Sequence, residues 1–411
     1  MKRLLFLFVV HMSLMLSCHA AEGSPRDLPE EHSGGVRFAY DVDFSMNFDN
    51  REFDRSRLFP SYTIFGARLT PSVGLAFLQD SWACHRLMLG VDIMKDFGRS
   101  PVGSQASAGQ GSVSGFHDEA ETDAGQRNLK LFNEIIFYYG LDATLGRTDF
   151  SLTAGIFPRR FTEGEYSQAF FSDSLVWYDN NIEGLLMKFR RPSSYFEIGC
   201  DWMGKAGVDR RERFMIFSSG HGHVSDMLSL GYSAYMYHFA GSENAPGVVD
   251  NILLNPYVLL DFSGLVPLQH LSISAGWLQS LQNDRKLVDR YVVPGGAEIT
   301  ACAGKWNVSI ENRLFIGQNM MPYYNSIGTG GQKYASDLYF GDPFFRMRDA
   351  SAGSWNVYDR LKVSYEPSLS DFVDLKIAAV FHFSGGFAGW QQMVGVHFNL
   401  RNLMLKLKGK R

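Results

Sequence analysis

The sequence predicts an all-β fold: a transmembrane, up-and-down antiparallel β-barrel of about 16 strands, an even number within the range of single-chain barrels. Three observations predict it. Apolar side chains recur at every second position in segment after segment, the period of a strand whose successive side chains point to opposite faces. Short polar turns alternate with long loops, the sorting that places short turns in the periplasm and long loops outside. No apolar run beyond the first residues reaches the ~20 that a membrane helix needs, while 41 glycines and a 14% aromatic share are high for a soluble domain. A mean hydropathy of -0.12 fits a barrel, because lumen-facing positions dilute the apolar ones.

In chain order, residues 1–20 read as a signal peptide: Met1-Lys2-Arg3, an apolar run from Leu4 to Leu16, then Ser17-Cys18-His19-Ala20-Ala21. Cleavage after Ala20 or Ala21 fits this pattern; lipidation at Cys18 is the alternative, with Met15 and Leu16 a poor lipobox. Residues 21–35 form a polar linker, 36–403 the barrel and 404–411 a basic tail. The first strand alternates Phe38, Tyr40, Val42, Phe44, Met46 and Phe48 with polar residues, and Asp49 to Pro60 reads as a charged loop. A second strand runs through Phe65 to Phe77, interrupted by Pro71, which cannot donate to the ladder. A third runs through Leu87 to Ile93, and Gly98 to Arg127 is a loop without periodicity.

The pattern is cleanest from Leu129 to Phe161, where Ile135, Phe137, Tyr139 and Leu141 form one face, Lys130, Glu134, Tyr138 and Asp142 the other, and the alternation resumes after a turn at Asp142 to Asp149. A long loop, Thr162 to Asn180, precedes a hairpin of Ile182–Arg191 and Tyr195–Met203. Further strands follow at Phe214–Ser218, Leu228–Met236, Ile252–Phe262, Leu271–Leu281, Val292–Ala303 and Trp306–Ile316. A third long loop, Gln318 to Gly353, leads to Val357–Tyr365, Val373–Phe383 and Met393–Leu400. No fixed-length repeat supports a propeller, and a secreted all-β sandwich is the competing fold. A net charge of -4 gives no reason to expect nucleic acid as a partner.

The segment Gly155-Ile156-Phe157-Pro158-Arg159-Arg160 through Asp179-Asn180-Asn181-Ile182-Glu183-Gly184 resembles the strand, third loop and strand of a Gram-negative outer-membrane porin, general or phosphate-selective. Gly395, Phe398 and Leu400 partly match the last-strand assembly signal, departing from it at Met393 and in the basic tail. The resemblance implies outer-membrane lipid, the barrel assembly machinery and small polar solutes as partners, and a homotrimer. It also implies that loop Thr162 to Asn180 folds inward as a constriction.

Strand alternation then assigns the pore lining to Arg68, Arg86, Lys130, Glu134, Glu197, Asp201, Glu311, Arg313, Arg360 and Lys362. The constriction would carry Arg159, Arg160, Glu163, Glu165, Asp173 and Asp179. The two signs are nearly balanced, whereas a selective anion pore needs a ladder of one sign. Aromatics near strand ends, Trp82, Trp202, Trp277, Trp355 and Trp390 among them, suit interfacial girdles.

Cys84, Cys200 and Cys302 are widely spaced and match no metal site, and His221-Gly222-His223 falls in a short turn. No phosphate loop, zinc cluster or nucleophile elbow is present. The expectation is therefore a non-enzymatic protein without cofactor or metal, passing small hydrophilic solutes by diffusion. The alternatives are a plugged barrel serving as scaffold, adhesin or polysaccharide-export partner, or an outer-membrane enzyme.

Overall fold

The structure, a computed structural model, describes residues 36–56, 58–79, 82–97, 134–347 and 353–400. The predicted signal peptide, linker and basic tail, Lys130, and the loop Gly98 to Arg127 lie outside the described residues.

The strands are β1 (Val36–Glu52), β2 (Tyr62–Gln79), β3 (Ala83–Asp96), β4 (Glu134–Leu145), β5 (Thr148–Pro158), β6 (Asn181–Arg191), β7 (Ser194–Gly204), β8 (Arg213–His223) and β9 (Leu228–Phe239). They continue with β10 (Val249–Asp261), β11 (His270–Asp284), β12 (Gly295–Lys305), β13 (Val308–Gly317), β14 (Asn356–Tyr365), β15 (Ser368–Ser370), β16 (Val373–Ser384) and β17 (Phe387–Asn399). Each pairs antiparallel with its sequence neighbour, except that β14 pairs directly with β16 and three-residue β15 only extends that seam. Sixteen strands therefore make the wall, as the sequence predicts. The ladder closes between β1 and β17, from Asp43↔Asn399 to Glu52↔Trp390. Closure removes the open sheet edges along Asp43–Glu52 and Trp390–Asn399, where unpaired amides would otherwise face a hydrocarbon phase.

Alternation sorts the side chains. Phe38, Leu75, Leu89, Ile135 and Phe137 stand exposed on the outer face, while Ile136, Tyr138, Arg68 and Asp92 are buried on the inner one. Two expected turns differ. Pairing runs on to Leu145↔Thr148, so the central hairpin turns at Gly146-Arg147 and not over Asp142 to Asp149. β8 reaches His223, so His221 and His223 lie on a strand end, where β7 and β9 supply partners for their backbone. The sorting of turns has exceptions: β16 and β17 meet at the long-loop end through only Gly385-Gly386, and residues 262–269 between β10 and β11 make a longer connection at the short-turn end.

The first loop is shorter than the expected Asp49 to Pro60. β1 continues to Glu52, because Asp49 to Glu52 find partners on both β17 and, as far as Arg51, β2. These polar residues looked like loop in isolation; neighbours from both ends of the chain hold them in strand.

Where the strands approach the long loops, the interior is a continuous apolar core. It joins wall residues such as Phe217, Tyr237, Phe315 and Tyr358 to loop residues Phe170, Leu175, Leu338, Phe340, Phe344 and Phe345. Towards the short turns the inner face is polar, with Asp41, Asp43, Lys188, Ser229, Ser272 and Ser364 buried there.

Gly155 in β5 takes φ 126°, and a Cβ there would run into the Phe137 carbonyl oxygen of β4. Replacing Gly155 with Ala is expected to cost about 1–3 kcal/mol, measured as a lowered urea midpoint of the refolded barrel.

Candidate functional site

The loop Thr162 to Asn180 folds inward, and its bonds reach around the wall. Before it, the 3-10 turn Arg159–Phe161 sets Arg160 on Asp41 of β1 at 2.8 Å. The Tyr166 hydroxyl donates to Glu197 of β7 at 2.8 Å, and Ser167 donates to Glu298 of β12 at 2.6 Å. The short helix Asp173–Tyr178 is capped by Ser172, which accepts from the Leu175 amide at 3.2 Å. Trp177 at its end accepts from Arg68 of β2 at 2.6 Å. A segment bonded to β1, β2, β7 and β12 crosses the lumen. The loop Gln318 to Gly353 packs on it: the Ser172 amide donates to Phe340 O at 2.8 Å and the Asp342 amide to Gln168 O at 2.7 Å. Phe344 stacks on Tyr358 at 5.1 Å, and Asn251 donates to Leu338 O at 2.8 Å.

The inward positions expected from sequence carry charges that are paired. Arg68 bonds Asp92 and Arg86 bonds Asp142; Glu134 accepts from Asn181 at 2.5 Å. Glu197, fully buried, accepts from Tyr195 and Tyr166 and from the Glu163 amide. Asp201 holds Arg159 at 2.7 Å, and Arg159 also holds Asp179 at 2.9 Å. Arg360 bonds Glu311 at 3.0 Å and approaches Asp173 at 3.8 Å, and Arg313 lies 3.7 Å from Glu298 and from Glu311. Lys362 meets Glu366 at 3.3 Å, Glu163 meets Lys188 at 2.7 Å, and Glu165 accepts weakly from Tyr257 at 3.4 Å. Apart from Lys362–Glu366, which joins β14 to its own turn, these charges tie loop to wall or strand to strand.

Burial pushes against ionisation of Asp173, yet Arg360 and then Arg51 hold its carboxyl below the usual range. Burial pushes Asp179 up to about 6, against the pull of Arg159 and with Asp201 adding to the rise.

A second constellation lies on the outer face at the seam that closes the barrel, among residues expected in a loop (Asn50, Glu52) and in an interfacial girdle (Trp390). Register sets Thr63 of β2, Asn50 of β1 and Gln392 of β17 side by side, with Glu52 beside Trp390 one row beyond. Glu52 Oε1 accepts from Asn50 Nδ2 at 3.0 Å and Gln392 Nε2 at 3.1 Å, and Oε2 accepts from Trp390 Nε1 at 2.8 Å. Thr63 Oγ1 donates to Asn50 Oδ1 at 2.8 Å, and the second Asn50 N–H reaches Gln392 Oε1 at 3.3 Å. Gln392 keeps one further N–H without a partner among the described contacts. Towards the short turns the same face is apolar: Phe48 and Phe65 meet edge to face at 5.5 Å, and Phe65 and Val394 are exposed.

The seam is braced from within by Asp49, Arg51 and Tyr62, which bonds Ser174 of the inward loop. Gly389 takes φ 145° beside Trp390, and any Cβ there would strike the Glu52 carbonyl oxygen. The close approach of β17 to β1 thus requires glycine. The available signal in sequence was parity: Asn50 and Glu52 continue the apolar series Phe44, Met46, Phe48 with polar side chains.

A closed sixteen-strand antiparallel barrel with an apolar outer belt defines an integral outer-membrane protein that crosses the bilayer many times. Over residues 30–369 the chain matches the lipid A 3'-O-deacylase-type family, and it belongs to that family. The family is named for an enzyme activity, which overturns the expectation of a non-enzymatic protein. No curated protein matches.

Among solved structures, a loop-deletion form of OmpT, an outer-membrane protein of Vibrio cholerae, is 9% identical, with 89% of this chain and 99% of that one covered and a TM-score of 0.48. In-vitro folded OmpT in its trimer form is 8% identical, covering 90% and 100%, with a TM-score of 0.48. A triple mutant of Rhodopseudomonas blastica porin is 11% identical, covering 88% and 100%, with a TM-score of 0.41.

The raised Asp179 makes seating of the inward loop sensitive to pH. Its folded value exceeds the ordinary ~3.9, so the folded state binds the proton more tightly. This group therefore favours the seated loop most below about pH 4, and the contribution is lost as pH rises through about 6. Amide hydrogen exchange over residues 159–180 is expected to quicken across that window in the wild type beyond the intrinsic base-catalysed rise. Asp179→Asn should remove the excess.

Proposed function

We propose that this chain is an outer-membrane hydrolase that removes an ester-linked acyl chain from lipid A, working on its outer, lipid-facing surface at the closing seam. Family membership supports the reaction class. The single observation that carries the location is the network around Glu52, a carboxylate fixed by three donors on a surface where alternation otherwise places apolar side chains. A polar strip bordering an exposed apolar one matches a substrate whose ester joins a polar headgroup to an acyl chain. Glu52 is the general base, accepting a proton from the water that attacks the ester carbonyl carbon. The uncommitted N–H of Gln392 is placed to meet the oxyanion that forms. Collapse breaks the acyl C–O bond, the alkoxide takes up a proton, and a fatty acid and a sugar hydroxyl result. Thr63 and Asn50 orient the carboxylate and its amide neighbours.

Diffusion of small solutes through the lumen is the second reading, supported by the barrel size, since sixteen-strand barrels commonly leave an aqueous channel. The loops bonded across the lumen favour the plugged alternative over it.

Purified protein in detergent micelles with lipid A is expected to release one acyl chain, read by mass spectrometry. Glu52→Gln should slow this roughly 100-fold or more while leaving heat-modifiable migration intact. A wild type that leaves lipid A unchanged, or an E52Q variant of full activity, would overturn the assignment. In a planar bilayer the protein should give no stable open steps; sustained conductance would return the function to solute diffusion.

A further inference from the structure

Asp359 puts a carboxylate on the lipid-facing wall, away from either rim. On β14 it alternates outward with Val357, Leu361, Val363 and Tyr365. On β13 Asn312 alternates outward with Val308, Ile310, Leu314 and Ile316. Val308, Ile310, Ile316, Val357, Val363 and Tyr365 are exposed, so apolar belt lies above and below both polar residues. Asn312 Nδ2 donates to Asp359 Oδ1 at 2.8 Å. The second Asn312 N–H, Asn312 Oδ1 and Asp359 Oδ2 have no partner among the described residues.

Polar groups in hydrocarbon carry a desolvation cost unless other polar groups meet them. Lipid headgroups lie at the rims and acyl tails offer neither donor nor acceptor, so a protein surface must supply the partner. A second copy of this chain supplies it, because the pair holds a spare donor together with spare acceptors. Two walls facing each other across a two-fold axis along the membrane normal, between β13 and β14, bring β13 of each chain against β14 of the other. Each Asn312 then donates its spare N–H to the partner's Asp359, and one patch serves both chains. Each carboxylate accepts from two amides, which offsets the nearness of its counterpart.

The flanks are complementary under the same axis. On β12, Ala301 lies beside Asn312, Ala303 beside Ile310 and Ala297 beside Ile316, a furrow of small side chains. On β16, Phe383 lies beside Asp359 and Phe381 beside Leu361, a ridge of rings. The axis sets β12 of one chain opposite β16 of the other, so ridge meets furrow on both sides. Exposed Leu75, Leu89, Ile135 and Phe137 on β2 to β4 offer neither a polar pair nor such a furrow.

We propose that the wall from β12 to β16 is the interface of a two-fold homodimer within the membrane. The interface goes beyond the hydrolase reading and does not depend on it.

The test is the oligomeric state of the full-length protein. Native mass spectrometry from nonionic micelles is expected to find two chains per particle. Asn312→Leu combined with Asp359→Leu keeps the wall apolar and is expected to raise the dimer dissociation constant about tenfold or more. Position is read in lipid vesicles with a short bifunctional maleimide, on protein whose Cys84, Cys200 and Cys302 are replaced by Ser. Leu361→Cys, close to the axis, should link two chains, whereas Leu185→Cys on β6, on the far side of the barrel, should not. Linking at Leu361 alone supports the interface even where micelles separate the chains, and it decides the matter if the leucine variant does not fold. Monomers by both methods, three-chain particles, equal linking at the two positions, or a folded leucine variant that dimerises like the wild type would overturn it.

Discussion

A membrane-spanning sheet cannot end, because every amide at an edge would face hydrocarbon without a partner. In this chain that constraint is met by ten paired positions between β1 and β17. Closure at this register fixes the parity of the strands around the wall, and so decides which side chains face the lumen and which face lipid. The same seam brings together residues from the two ends of the barrel sequence. Asn50 and Gln392 stand 342 positions apart, and only the closed ladder makes them neighbours.

Closing sixteen strands leaves an interior wider than side chains of the wall can fill. Two loops meet that demand, one from each side of the barrel, and they meet in an aromatic core. Several charged groups in that interior sit in buried pairs: Arg159 between Asp179 and Asp201, Arg68 on Asp92, Arg360 on Glu311. A pair of this kind contributes little net stability once desolvation is counted, but losing one member leaves a buried charge uncompensated, at a cost of about 3–5 kcal/mol. The inward charges therefore specify where the loops sit more than they strengthen the barrel.

With the long-loop end of the interior filled by packed loops, the outer surface at the seam carries a polar network of its own. There the inner and outer faces of the same strands divide the work. Asp49 and Arg51 point inward and tie β1 to the inward loop through Tyr62 and Ser174, while Asn50 and Glu52 between them point outward. Gly389 lets β17 approach closely enough for Trp390 to reach Glu52. The rigidity of the outward carboxylate derives from packing on the opposite side of the sheet.

The sequence alone determined the architecture, because a period of two in hydrophobicity and the sorting of turn lengths are local properties that need no partner to be read. Strand number, the inward assignment of Arg68, Glu197, Asp201 and Arg360, and the outward aromatics all follow from it. It could not determine the extent of β1, since Asp49 to Glu52 are polar and read as loop until β2 and β17 supply their hydrogen bonds. Nor could it show that Thr162 to Asn180 bonds to strands all round the wall, because those contacts join residues such as Ser167 and Glu298, 131 positions apart. The Glu52 network and the outward Asn312–Asp359 pair were decided by tertiary structure for the same reason: side chains on separate strands become neighbours only after inter-strand register is set, and register is a property of the closed sheet.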